Sequence, residues 1–157
     1  MGTDLYRDGM ARLEAGDVEE GRRLLEEALQ KNPGDVRAMH GLALALDLVG
    51  ERARALEILE LAHARSPSEP GPACDLAMSL LERSEDARAE QVLAPVLDAH
   101  PDHPRANLYV AMALAKTDPA RARAHLANVL WDWEPDPELR REAEALDRVL
   151  AEQAPST

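Results

Sequence analysis

Phenylalanine is absent from this 157-residue chain, and aromatic residues make up only 3% of it. Hydrophobic residues nevertheless reach 45%, so a core has to be built from Leu, Ala and Val. That composition suits closely packed helices and disfavours a β-sandwich, whose strands want Val, Ile, Tyr and Phe. Cysteine is limited to Cys74, so the sequence holds no intrachain disulfide and no multi-cysteine metal site. Lysine is limited to Lys31 and Lys116 against a large excess of arginine, a bias that hints at a GC-rich, bacterial coding genome. Positive charge is scarce overall. The net charge is −12, which repels phosphate backbones and argues against nucleic acid and against anionic membrane surfaces as partners. No apolar run is long enough to span a bilayer; the most apolar stretch, 41–50, is broken by Asp47. The start, Met1-Gly2-Thr3-Asp4, leads straight into amphipathic sequence with no leader-like pattern, and the expected location is cytoplasmic.

What the chain does have is a ruler. Pro33, Pro67 and Pro101 are 34 residues apart. Leu25, Leu59 and Leu93 keep the same step, as do Leu42, Leu76 and Val110, and Leu46, Leu80 and Leu114. Small residues follow it too, in Gly21, Ala55 and Ala89 and in Ala28, Ala62 and Val96. Self-similarity at this period marks a repeat architecture in which no unit can bury its apolar face alone. The small residues allow two helices of a hairpin to approach, the large aliphatics fill the space to the next unit, and proline ends the second helix.

The pattern resembles tetratricopeptide repeats over about residues 3–134. It implies an all-α, right-handed α-solenoid of about four antiparallel helix-hairpin repeats plus a C-terminal capping helix. The expected organisation is one domain over 1–157, with repeats at about 3–35, 36–69, 70–103 and 104–135. Helix pairs are expected at about 4–15 and 18–32, 36–49 and 52–65, 71–82 and 85–99, and 104–115 and 119–132. Asp17, Ser84 and Asp118 read as N-caps, and Gly16 and Gly50 as hairpin turns. The period slips by about one residue near Thr117-Asp118-Pro119. Asp136-Pro137 opens the capping helix, about 137–153, whose Leu139, Ala143, Leu146 and Leu150 form one stripe. Pro95 falls inside a helix, where it should remove one hydrogen bond and bend it. Asp8 and Arg12 replace core leucines in the first unit and read as edge residues exposed to water. The tail from Ala154 is expected to be loose.

No constellation of chemistry emerges. There is no phosphate loop, nucleophile elbow or HExxH. His100 and His103 flank Pro101-Asp102, a pair without a third metal ligand that reads as a solvated turn. Cys74 reads as a small helix residue. Trp131 and Trp133, around Asp132, read as packing against the capping helix. No enzyme, cofactor or metal site is expected.

The resemblance implies that the first helix of each unit faces a protein partner. Its ligand-facing positions map here to Tyr6, Arg7, Met10 and Leu13, then Arg37, His40, Leu44 and Asp47, then Cys74, Asp75, Met78 and Leu81, then Arg105, Leu108, Tyr109 and Met112. Met10, Leu44, Met78 and Met112 form one row. Relatives that grip a C-terminal carboxylate carry Lys, Asn and Arg in the groove, with Asn in this row; that set is absent. Flexible Met suits an adaptable apolar groove for a partner helix or extended peptide, and the same row would equally pad the seam between helices. The implied function is an adaptor or scaffold with a concave, partly apolar groove. The alternative is a small secretion chaperone of the type III translocator-binding class, and self-pairing as a homodimer stays open.

Overall fold

The computed structural model describes residues 4–131 and 136–153; Trp133 and the tail from Ala154 lie outside them. All regular structure among the described residues is helical, and the chain divides into two compact units, Met1–Pro67 and Ser68–Thr157.

The first unit holds α1 (Leu5–Glu14), α2 (Val18–Lys31), α3 (Val36–Leu48) and α4 (Arg52–Arg65). α1 pairs with α2 and α3 with α4, while α3 also packs on α2 and touches α1. Glycine sets how near these helices come. A Cβ on Gly9 would stand 2.8 Å from Leu25 Cγ, and one on Gly41 would stand 2.9 Å from Leu25 Cδ2. Leu25 is wholly buried and so fills the space that two glycines on α1 and α3 leave open. Removing its side chain would cost about 2–5 kcal/mol, the range for emptying a closed leucine site. Asp8 and Arg12 are exposed, as edge residues should be.

The second unit holds α5 (Pro70–Glu82), α6 (Asp86–Ala99), α7 (Pro104–Leu114), α8 (Pro119–Leu130) and α9 (Pro137–Glu152). Four of these five helices carry proline in the first turn, where its fixed φ helps and its missing N–H costs nothing. α7 is the central element, in contact with α5, α6, α8 and α9. α9 lays Ala143 and Leu150 inward, with Leu139 and Leu146 half-buried beside them, as a capping stripe requires. Pro95 sits within α6, which continues to Ala99.

Hairpin turns repeat the ruler in their backbone. Gly16, Gly50 and Ser84 have φ of 81°, 80° and 60°. Each donates its N–H three residues back, to Leu13, Asp47 and Leu81, and the next residue bonds five back, to Arg12, Leu46 and Leu80. This is the left-handed C-terminal cap that satisfies the last carbonyls of a helix. Ser84 is therefore the turn residue of the third repeat and not its N-cap; that place falls to Glu85, with no side-chain capping bond. Asp17 does sit at an N-cap, but its side chain makes no capping bond and instead pairs with Arg12 at 3.6 Å. Asp118 and Asp136 cap as expected, accepting from Arg121 N and from Glu138 N and Leu139 N. The fourth repeat lacks the left-handed turn, which is the physical form of the slip in period: Thr117 and Asp118 both bond back to Leu114.

Candidate partner-binding faces

In the first unit α1 and α3 carry the candidate residues. Arg7, Arg37 and Asp47 are exposed, and Tyr6, Met10, His40 and Leu44 are half-buried. The Arg37 guanidinium stacks over the Tyr6 ring, 4.9 Å from its centroid. A Cβ on Gly41 would stand 2.8 Å from Met10 Sδ, so this methionine bridges α1 and α3 while keeping part of its side chain open. Leu13 points the other way: one of its methyl carbons would be 2.6 Å from a Cβ on Gly21, in the hairpin interior.

In the second unit α5 and α7 carry them. Asp75, Met78, Leu81 and Arg105 are half-buried, and Met112 is 36% exposed. Arg105 Nη2 donates to Asp75 Oδ1 at 2.6 Å, and its guanidinium lies over Tyr109. Burial works against the Arg105 charge, but the interactions with Asp75 and Tyr109 together outweigh it, so its pKa rises. Cys74 and Leu108 are wholly buried and Tyr109 is 7% exposed. Cys74 and Leu108 thus belong to the core and not to a surface. For Leu108 the reason is that α7 has neighbours on every side. Burial pushes the Cys74 thiol up to about 11, which leaves it protonated and unreactive near neutral pH.

The histidines serve the scaffold. His103 is the N-cap of α7, its Nδ1 accepting from Ala106 N at 3.2 Å. It is half-buried, so the solvated-turn reading fails for it. Asn107, 1% exposed, was not singled out by sequence reasoning. Its Nδ2 donates to the carbonyls of Pro101 and His103, and its Oδ1 takes donors from Asn128 Nδ2 at 3.2 Å and His125 Nδ1 at 2.8 Å. All four hydrogen-bonding positions of this amide are filled, which is what makes its burial affordable. The signal was a lone amide in the apolar run Ala106 to Leu114.

A pocket of about 700 Å³ opens in the second unit, lined by Pro70, His100, Asp102, His103, Pro104, Asn128 and Trp131. Trp131 is 90% exposed, so it does not pack on α9 as expected; Asp132 and Trp133 lie outside the described residues. Among the described residues no three His, Cys, Asp or Glu side chains converge as a metal site, and no helix is long and apolar enough to cross a membrane.

Residues 12–62 match the family model described as Tetratricopeptide repeat. The match covers about a third of the chain and marks tetratricopeptide repeats in that stretch. The fold class of the chain is the all-α helical-repeat solenoid, shared with solved tetratricopeptide-repeat structures. MamA from residue 41 to its end, from Desulfovibrio magneticus RS-1, is 20% identical with a TM-score of 0.72, over 94% of this chain and 88% of that one. A thermophilic tetratricopeptide-repeat protein of Thermus thermophilus is 24% identical with a TM-score of 0.70, over 98% and 91%. A tetratricopeptide-repeat protein from Parabacteroides merdae is 16% identical with a TM-score of 0.76, over 96% and 60%. At these identities the likeness is one of fold. No curated protein matches the chain in sequence.

Proposed function

We propose that this chain is a non-catalytic adaptor that holds a partner's peptide or helix against the first helices of its repeats. The observation that carries the reading is the row Met10, Leu44, Met78 and Met112. The rows two places before and two places after it, through Leu42, Leu76 and Val110 and through Leu46, Leu80 and Leu114, are buried. The Met/Leu row is itself half-open or exposed. Apolar, flexible side chains left partly in water are what an adaptable docking face requires. Of the original candidates, Tyr6, Arg7, Met10, Arg37, His40, Leu44, Asp47, Asp75, Met78, Leu81, Arg105 and Met112 keep enough exposure to take part. Cytoplasmic residence and a single domain over 1–157 belong to the same proposal; one unfolding transition for the whole chain supports the latter, and two separate ones overturn it.

The test is the double variant Met78→Glu, Met112→Glu. Each buried methionine contact in a complex is worth about 1.5–3 kcal/mol, so losing one weakens binding about tenfold or more. The expected result is native helicity by circular dichroism with loss of the partner captured from the native cell. Native helicity with unchanged capture would contradict the proposal.

A further inference from the structure

Trp131 closes α8 on the rim of the pocket in the second unit, and at 90% exposure it is the most exposed large apolar side chain among the described residues. Asp102 lines the same pocket and makes no hydrogen bond or ion pair among the described residues. No Lys or Arg joins them in the lining. Elsewhere the fold sets an arginine between such groups. Arg105 bonds the Asp75 carboxylate at 2.6 Å and lies over the Tyr109 ring, 5.7 Å from its centroid. Arg37 lies over Tyr6 and stands 3.7 Å from the Asp35 carboxylate. Each tyrosine thus holds a guanidinium that also meets a carboxylate. The pocket repeats the carboxylate and the aromatic ring without the cation, and indole is the best of the aromatic faces for one.

We infer that the pocket at the start of α5 and α7 receives an arginine side chain of a protein partner, its guanidinium flat on Trp131 and bonded to Asp102. Asn128 supplies a further acceptor: its Nδ2 donates to Asn107 at 3.2 Å, which leaves its Oδ1 for a guanidinium N–H. His103 supplies a donor. Its Nδ1 accepts from Ala106 N, so the ring proton sits on Nε2, ready for a carbonyl oxygen of the same segment. Pro70 and Pro104, the first residues of α5 and α7, wall the pocket and have no N–H to leave unpaired. Charge favours a cation here over an anion, since the lining contains a carboxylate and the chain has a net charge of −12. Arginine suits the pocket better than lysine because a planar guanidinium stacks on a ring and bonds a carboxylate at once. The inference goes beyond the adaptor reading and uses none of the Met/Leu row, so the two can fail separately.

The probe is a fluorescent Gly/Ser peptide with one central arginine, followed by anisotropy on the full chain; its two matches carry lysine or glutamine in that place. The arginine peptide should bind about tenfold or more tightly than the glutamine match and about threefold or more tightly than the lysine match. Added salt should weaken it. Trp131→Ala and Asp102→Asn change exposed side chains, so helicity and urea midpoint should stay native while arginine binding falls about threefold or more. Asp98→Asn removes an equal charge outside the lining and should leave binding unchanged. Met78→Glu with Met112→Glu should not weaken it; a loss there would move the site to the Met/Leu row and overturn the inference. Equal binding of the arginine peptide and either match, no binding of any, or undiminished binding by Trp131→Ala also overturns it. So does a loss in Asp98→Asn as large as in Asp102→Asn, which would mean attraction by net charge alone. Displacement of the arginine peptide by a neutral methyl glycoside but not by acetyl-arginine amide would reassign the pocket to a sugar and overturn the inference as well.

Discussion

Gly9 and Gly21 face each other across the first hairpin so closely that a Cβ on Gly21 would stand 2.9 Å from the Gly9 carbonyl oxygen. It would also meet a Leu13 methyl at 2.6 Å. Ala55 and Ala89 occupy the same ruler position in the next two repeats, so the constraint comes from this glycine pair. Gly21→Ala gains about 1 kcal/mol of helix propensity but forces a backbone apart, and overpacking costs about 1–3 kcal/mol. A net loss is expected, read as a lower urea midpoint with an unchanged slope.

Ser84 carries a left-handed φ of 60° where the first two hairpins have glycine. A non-glycine residue there is strained by about 1–2 kcal/mol, while glycine adds unfolded-state entropy of somewhat smaller size. Ser84→Gly should therefore stabilise the chain by about 0.5–1 kcal/mol, and a rise in the urea midpoint checks it.

Removing the Asn107 amide strands two carbonyls and the donors of His125 and Asn128 in the interior. Asn107→Ala should cost about 2–4 kcal/mol, since each buried group left unpaired carries about 1–3 kcal/mol. Denaturant unfolding would show it as a loss far above that of an exposed Asn→Ala change.

Burial lowers the pKa of His63, His103 and His125 below 6.5, so the fold holds all three neutral. His63 Nδ1 has no hydrogen-bond partner, and His103 Nδ1 would lose its capping bond if protonated. The unfolded chain takes up protons near pH 6.5 and the folded chain only lower. Stability is therefore full above that value and falls as pH drops through the folded pKa values. Glu20, Glu27, Glu51 and Glu85 are held below 4.5 by bonds to Arg or Lys and stay ionised across this window. The expected outcome is a lower urea midpoint at about pH 5.5 than at about pH 7.5. His103→Asn keeps a capping oxygen without the titration and should flatten part of that slope.

Much of the fold was legible because apolar spacing at 3.6 and the 34-residue period are both properties of the chain itself. Helix ends fell within one or two residues for the same reason. Depth was not legible. A ruler assigns Leu108 and Met112 to one face of α7, but which of them meets water depends on four neighbouring helices. Ser84 looked like a cap because serine is a good one, although Gly16 and Gly50 on its own row marked a left-handed turn. The Asn107 network joins α7 to α8 and to the Pro101 turn, and such partners cannot be read from spacing.

Hydrogen–deuterium exchange on the full chain, with and without the captured partner, tests the docking account most directly. Added protection should fall on α1, α3, α5 and α7, at peptides spanning Met10, Leu44, Met78 and Met112. Protection confined to α2, α4, α6 and α8 would contradict it.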